Sequence, residues 1–272
     1  MDLKKLSKQL LVKSGKRLKL SKIRPDWTCG LKDKEEALKA IAKNQEKMAE
    51  LQHLLYAENK HALLVVFQGM DACGKDGTVR TVMRGVNPQG CRVHSFKAPT
   101  AQELDHDFLW RIHQVVPPRG EIGIFNRSHY EDVLVVRVHK LVPEAVWSKR
   151  YKQINDFERT LARNGTTILK FFLHLSKDEQ KQRLQERLDD PAKSWKMNPA
   201  DLKERDLWKK YMEAYQDALA QCSTPWAPWY VIPADRNWFR NLAVSQIIVE
   251  TLQSLRMKFP APDFDPGKII IK

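Results

Sequence analysis

Residues 63–77, LLVVFQGMDACGKDG, carry an apolar run to a glycine, pass one aspartate and close on Gly-Lys-Asp-Gly. Gly69 to Lys75 fits the spacing G-x4-G-K. Behind a strand and ahead of a helix, that spacing gathers backbone N–H groups around one anion, and the helix dipole adds to the pull. Lys75 then reaches terminal phosphates. Gly69, Gly74 and Gly77 let the main chain approach without a Cβ in the way, and Met70, Ala72 and Cys73 complete the loop. The usual loop has Ser or Thr after the lysine to help hold Mg²⁺; here Asp76 stands there. Two carboxylates, Asp71 and Asp76, would repel phosphates unless a divalent cation lay between, and Mg²⁺ takes one or two carboxylates plus substrate phosphates. Asp71 is the first candidate for metal ligand or nucleophile orienter. Asp76 either shares that role or favours the first helical turn through the dipole, and Thr78 is a fallback hydroxyl ligand. The plain alternative is a tight strand-to-helix turn with a solvent lysine.

A second cluster, IGIFNRSHYEDVLVVRVH (122–139), follows a strand of the same kind. In phosphate-loop folds the strand beside the first usually ends in a metal-associated acid. Here that position is Asn126, followed by Arg127, which suits bidentate pairing with phosphate or carboxylate. Tyr130 and Glu131 are candidates for an acceptor pocket, and Glu131 for the missing acid and a second metal ligand. His129 lacks a partner at zinc spacing and reads as a packing histidine; Ser128 has no nearby base to make it a nucleophile.

These residues need elements to position them. Apolar spacings of three and four predict a helix from Asp33 to about Asn59. ALLVVFQ (62–68) is a bounded apolar run, read as a buried strand. CRVHSF (91–96), EIGIFN (121–126), TTILKFFLHL (166–175) and WYVIP (229–233) read as further strands. Helices are expected at 101–115, from Pro143 to about Arg163, after Ser176 with Glu179 completing a capping box, at roughly 200–220, and from Pro233 to about Met257. Strand–helix alternation implies an α/β fold, a parallel sheet flanked by helices on both faces. The polar stretch 187–206, with two prolines between charged helices, suits a lid or an ordinary surface loop. The expected organisation is a basic, irregular arm (1–30), one domain (31–258) and an extended tail (259–272).

Composition narrows the class. At 272 residues and 42% hydrophobic, the chain can bury a sizeable core. No apolar run approaches the roughly 20 residues needed to span a bilayer, and no secretory signal is read. Four scattered cysteines without C-x-x-C favour a reduced cytoplasm over a zinc site or disulfide frame. Net charge is +14, and residues 1–24, with nine Lys/Arg and one acid, supply +8 of it. Such an excess favours polyanions: phosphate chains, nucleic acid or an anionic membrane.

Three blocks together, FQGMDACGKDG, FKAPTAQELDHDFLWRIHQVVPPRGEIGIFNRSHYEDVLVVRVH and RLDDPAKSWKMNPADLKERDLWKKYMEAY, resemble the polyphosphate kinase 2 family from about Arg24 to Met257. The resemblance implies a P-loop kinase fold with a helical lid, and Mg²⁺-dependent phosphoryl transfer between inorganic polyphosphate and nucleotides in a homo-oligomer, dimer or tetramer. It places the family's loop aspartate on Asp71, its lysine on Lys75 and its second-strand arginine on Arg127. The lid block falls on 187–206, making Arg187, Lys193 and Lys196 candidate chain-phosphate contacts. Where many members carry Asp-Arg-Ser, this chain has Asn126-Arg-Ser and gains Glu131, as in the subgroup that uses AMP as well as ADP. Residues 187–210 hold seven Lys/Arg against five acids, too slight an excess to specify polyphosphate alone. Two other readings stand beside this one: an ATP-dependent nucleoside monophosphate kinase on the same fold, and a non-enzymatic nucleic-acid binder. The second lacks any RNA-binding aromatic pattern or helix-turn-helix. A membrane partner lacks a lipidation motif.

Overall fold

The computed structural model describes residues 5–15 and 18–271. Its centre is a sheet of five parallel strands: β1 (Ala62–Gln68), β2 (Cys91–Ser95), β3 (Ile122–Asn126), β4 (Thr166–His174) and β5 (Trp229–Pro233), in the order β2-β3-β1-β4-β5. All seven residues of β1 are buried, which explains a run with no polar alternation. Its side chains still alternate in space. Leu63, Val65 and Phe67 join a core with Met48, Leu51 and Leu55 of the helix Lys34–Glu58 and Ala243, Val244 and Ile247 of the helix Asn237–Ser254. Leu64 and Val66 join a second core with Tyr151 and Ile154 of Glu144–Arg163 and Ala214, Ala218 and Leu219 of Trp208–Cys222. Helices therefore cover both faces, as the alternation of elements predicts.

Local signals set the ends of several helices. Asp33 caps Lys34–Glu58 by accepting from Glu35 N at 2.8 Å and Glu36 N at 3.0 Å, and Asn59 closes it in the left-handed region at φ 53°. Ser176 Oγ accepts from Glu179 N and so starts Lys177–Asp189. The reciprocal half of the expected capping box is absent, because Asp235 takes Ser176 N and Glu179 pairs with Arg183.

Three elements differ from expectation. The stretch 101–115 is two short helices, Ala101–Leu104 and Trp110–His113, interrupted at Asp105–His106–Asp107, where Asp107 Oδ1 accepts from Leu109 N at 2.9 Å and so competes with the helix. The helix expected at 200–220 breaks at Leu207 into Ala200–Asp206 and Trp208–Cys222. The arm is not irregular. It contains the helix Leu6–Leu10, with Leu6, Leu10, Val12 and Leu20 buried, and Val12 N donates to Trp229 O at 2.9 Å. Apolar residues four apart found a sheet edge to cover despite the lysines between them. Residues 1–4, 16 and 17 of that arm, and Lys272, lie outside the described residues.

A docked arm makes a measurable difference. Leu10→Ala should lower unfolding stability by about 2–5 kcal/mol, the usual cost of a buried leucine truncation, in urea denaturation. A solvated arm would give a change within about 0.5 kcal/mol.

Candidate active site

β1 and β4 lie side by side, while the chain leaves β1 to build β2 and β3 on one side and β4 and β5 on the other. In open parallel sheets such a reversal opens a crevice beyond the carboxyl ends of the strands. Gly69 follows β1 there, and Arg127 follows β3.

The glycine loop is shaped by close approach. A Cβ on Gly69, at φ 150°, would meet Leu173 O and Cys73 Sγ, both at 2.8 Å, and a Cβ on Gly74, at φ 97°, would lie 2.0 Å from Arg240 Nη1. Three successive carbonyls of the loop are held from behind. Gln180 Nε2 donates to Asp71 O at 2.9 Å, Arg183 Nη1 to Ala72 O at 3.1 Å, and Arg240 Nη1 to Cys73 O at 3.2 Å. A trans peptide points its N–H opposite its carbonyl. The N–H groups of Ala72 and Gly74 therefore point away from Gln180 and Arg240, while Cys73 N donates within the loop to Met70 O. The helix Lys75–Val82 opens there, so its first N–H groups have no intrahelical acceptor. Lys75 is buried, its ammonium donating to Gly69 O at 2.9 Å. Thr78 Oγ1 donates back to Gly74 O at 3.0 Å, which makes it a helix contact.

Arg127, at φ 63°, holds a backbone conformation uncommon for a residue with a side chain, and Nη2 donates to Asp71 Oδ1 at 2.8 Å. Burial pulls the Arg127 guanidinium down, but Glu131 and Asp71 pull it further up, so it stays charged. Glu131 is held above the usual carboxylate range by burial, with Asp71 adding to the rise and Arg127, Lys75 and a Gln68 hydrogen bond opposing it. Asp76 accepts from Asn126 Nδ2, which ties the first helical turn to the end of β3.

Two clefts share the wall formed by Asp71, Arg127, Asn198 and Asp201. The larger, about 550 Å³, brings together the expected Gly74, Lys75, Asp76, Gly77, Asn126 and Arg127 with Arg187, Lys193 and Lys196. The smaller, about 240 Å³, is lined by Gly69, Met70 and Glu131 together with Glu204, Tyr211 and Tyr215. The segment 187–206 borders both: Arg187 pairs with Asp201 at 3.6 Å, and Arg205 Nη1 reaches back to Gln180 Oε1 at 3.0 Å.

Of the expected site residues, Cys73 is fully buried and lines neither cleft, and the fold places Tyr130 elsewhere altogether. It is fully buried, and its hydroxyl donates to Glu158 Oε1 at 2.9 Å and accepts from Lys170 Nζ at 2.7 Å. His129 Nε2 lies 3.1 Å from the same Glu158 oxygen. Lys170 Nζ also donates to Glu158 Oε2 and to Cys222 O. This buried ion pair anchors the turn His129–Val133, and Glu131 projects from the same turn into the cleft. The sequence alone does not single out Arg80, Trp195, Asn198, Asp201, Glu204, Tyr211 and Tyr215 among the lining residues, nor Gln180, Arg183 and Arg240 behind the loop. Trp195, Asn198, Asp201, Glu204, Tyr211 and Tyr215 all lie within RLDDPAKSWKMNPADLKERDLWKKYMEAY; the arginines behind the loop have no local signal.

Oxygen donors suited to a hard cation stand in the smaller cleft, in Asp71 at the shared wall and Glu131 beside it. Among the described residues no group of three or more His, Cys, Asp or Glu side chains converges as a closed metal cage.

The polyphosphate kinase 2 family profile matches residues 31–260. An AMP/ADP-polyphosphate phosphotransferase of Meiothermus ruber is 57% identical over 266 residues, covering 97% of this chain and 100% of its own length. An ADP-polyphosphate phosphotransferase of Rhodopseudomonas palustris is 48% identical, covering 93% of this chain and 92% of its own. The crystal structure of polyphosphate kinase 2 from Arthrobacter aurescens TC1 superposes with a TM-score of 0.93 at 44% identity, over 96% of this chain and 94% of that one.

The close approach at the loop carries its own test. Gly69→Ala would set a Cβ against a main-chain carbonyl that cannot swing aside. It should lower stability by about 1–3 kcal/mol, seen as a drop in thermal midpoint; an unchanged midpoint would contradict the packing.

Proposed function

The chain belongs to the polyphosphate kinase 2 family, and from that premise we propose that it transfers phosphoryl groups reversibly between inorganic polyphosphate and adenine nucleotides, AMP to ADP and ADP to ATP. One observation carries the reading: two clefts meet at Asp71 and Arg127, one edged by Lys75, Arg80, Arg187, Lys193 and Lys196, the other by carboxylates and tyrosines. A long phosphate chain suits the cationic cleft, and a nucleotide suits the smaller one with its phosphate at Arg127.

The reaction joins an acceptor phosphate oxygen to the terminal phosphorus of the chain and breaks the bond to the next bridging oxygen. The chain leaves one unit shorter, carrying the electron pair. Acceptor oxygens are already ionised near neutral pH, so no general base is required, and catalysis is positioning and charge. The amides of Ala72, Gly74 and the first helical turn, with Lys75, hold the donor phosphates. Arg127, between the clefts, faces the transferred group. Asp71 and Glu131 would hold Mg²⁺, which would supply further charge neutralisation. Asn126 serves by fixing Asp76. The segment 187–206 acts as a lid, bringing Arg187, Lys193 and Lys196 over the chain.

This reading extends to assembly and location. The protein is a homo-oligomer, dimer or tetramer, for which Leu38 and Tyr56, 49% and 54% exposed on Lys34–Glu58, offer an apolar face. It works in the cytoplasm, consistent with four unpaired cysteines. Among the described residues no helix is long and apolar enough to cross a membrane.

With polyphosphate, Mg²⁺ and AMP but no ATP, the purified protein should form ADP and then ATP, followed by chromatography. Lys75→Ala should lower that rate by about 10²–10³, as for other preorganised charge contacts. Product formation that requires ATP as donor would favour the monophosphate kinase instead.

Glu131 yields a pH signature. Its raised pKa means that the folded protein keeps this carboxyl protonated at pH values where an ordinary glutamate has ionised. Glu131→Gln should raise the Mg²⁺ requirement of the reaction. The ionised carboxylate is also a cost to the fold that enters as pH rises. Glu131→Gln should accordingly gain thermal stability at neutral pH and match the parent at pH values below the ordinary glutamate range; equal melting at all pH values would contradict the shift.

A further inference from the structure

Arg240 lies behind the glycine loop and is only 3% exposed. Its hydrogen-bond partners are neutral oxygens: Cys73 O, Asn237 Oδ1 at 2.7 Å and Asn241 Oδ1. No carboxylate among the described residues pairs with it. Its charged neighbour is another cation, Arg183, which has its own carboxylate in Glu179 at 2.8 Å. Burial and Arg183 together pull the Arg240 guanidinium down to about 10. A buried charge without a counter-charge is costly to a fold. The guanidinium also presses on Gly74, the residue that precedes Lys75, closely enough to leave no room for a Cβ.

We propose that Arg240 is a positioning residue whose missing counter-charge is the polyphosphate held on the other side of the loop. It does not touch phosphate. It acts through the Cys73–Gly74 peptide, whose carbonyl it holds and whose N–H faces the anion, and its positive charge adds to the field drawing the chain into the cleft. Arg183 and Gln180 hold the two preceding carbonyls from Lys177–Asp189, the helix that runs on into the lid. Arg240 comes from the opposite end of the chain, on Asn237–Ser254, and closes the set. The inference rests on the loop being the polyphosphate site.

The test compares the parent protein with Arg240→Gln and Arg240→Lys. It measures KM for polyphosphate, KM for AMP, kcat and the thermal midpoint with and without polyphosphate. The parent should melt higher with polyphosphate. Arg240→Gln should raise the polyphosphate KM about ten-fold, less than the 10²–10³ of a direct donor. It should leave the AMP KM near parental and lose most of the polyphosphate-induced melting shift. Arg240→Lys keeps the charge and should stay within about three-fold of the parent at neutral pH. A buried lysine neutralises more readily than arginine, so its polyphosphate KM should climb between pH 7 and 9 relative to the parent. That comparison stands even if Arg240→Gln does not fold. A parental KM and melting shift in Arg240→Gln would overturn the inference, as would an Arg240→Lys protein whose ratio to the parent is flat with pH. A parent protein that gains no stability from polyphosphate and transfers none of its phosphate would overturn the underlying site reading instead.

Discussion

The planarity of three peptide bonds is the constraint on which the site depends. Because the carbonyls of Asp71, Ala72 and Cys73 are tied to Gln180, Arg183 and Arg240, the opposite edges of those peptides must face away from these side chains. Ala72 and Gly74, whose N–H groups lie on two of those edges, line the larger cleft beside the opening turn of Lys75–Val82. An anion there meets donors already oriented, and the reorganisation that water would need at each transfer is avoided. Glycine at 69 and 74 follows from the same constraint, since either Cβ would occupy space held by Leu173 O or Arg240.

The sheet supplies the rigidity. β1 and β3 end side by side, with Phe67 opposite Asn126, so the loop after β1 and Arg127 after β3 leave the sheet at one level. The ion pair of Asp71 with Arg127 joins them across that gap. Behind it, Lys170 of β4 and Glu158 of Glu144–Arg163 fasten His129 and Tyr130, so that the turn carrying Glu131 is fixed from the core side. The segment 187–206 is built differently. Its short helices bury no side chain, and it is held chiefly by polar contacts such as Arg187 with Asp201 and Arg205 with Gln180. Elements with few buried apolar contacts open at low cost. A phosphate chain has to enter and a shortened one has to leave, and a rigid floor under a loosely held cover meets both needs.

Much of this was legible in the residues themselves. The loop at 69–75 could be located because glycine spacing reports backbone geometry directly, and the five strands because each is a short apolar run between polar punctuation. Other features are properties of the fold, with no local trace. Arg183 and Arg240 lie 110 and 167 residues from Cys73 and resemble ordinary helix arginines until the helices converge. Tyr130 shares a turn with Glu131, yet one side chain enters the core and the other the cleft, a choice set by the position of Glu158 and Lys170. The basic arm misled because lysine density masked Leu6, Leu10 and Val12, whose burial depends on an edge strand more than two hundred residues away. The segment 101–115 shows apolar spacing throughout, and the polar triplet in its middle outweighed it.

The most direct measurement is a crystal structure of the protein with polyphosphate and Mg²⁺. The account predicts phosphate oxygens within hydrogen-bonding distance of the amides of Ala72 and Gly74 and of the first turn of Lys75–Val82. It also predicts that the Lys75 ammonium has moved from Gly69 O to a phosphate. A chain bound elsewhere on the surface, with Lys75 still on Gly69 O, would contradict it.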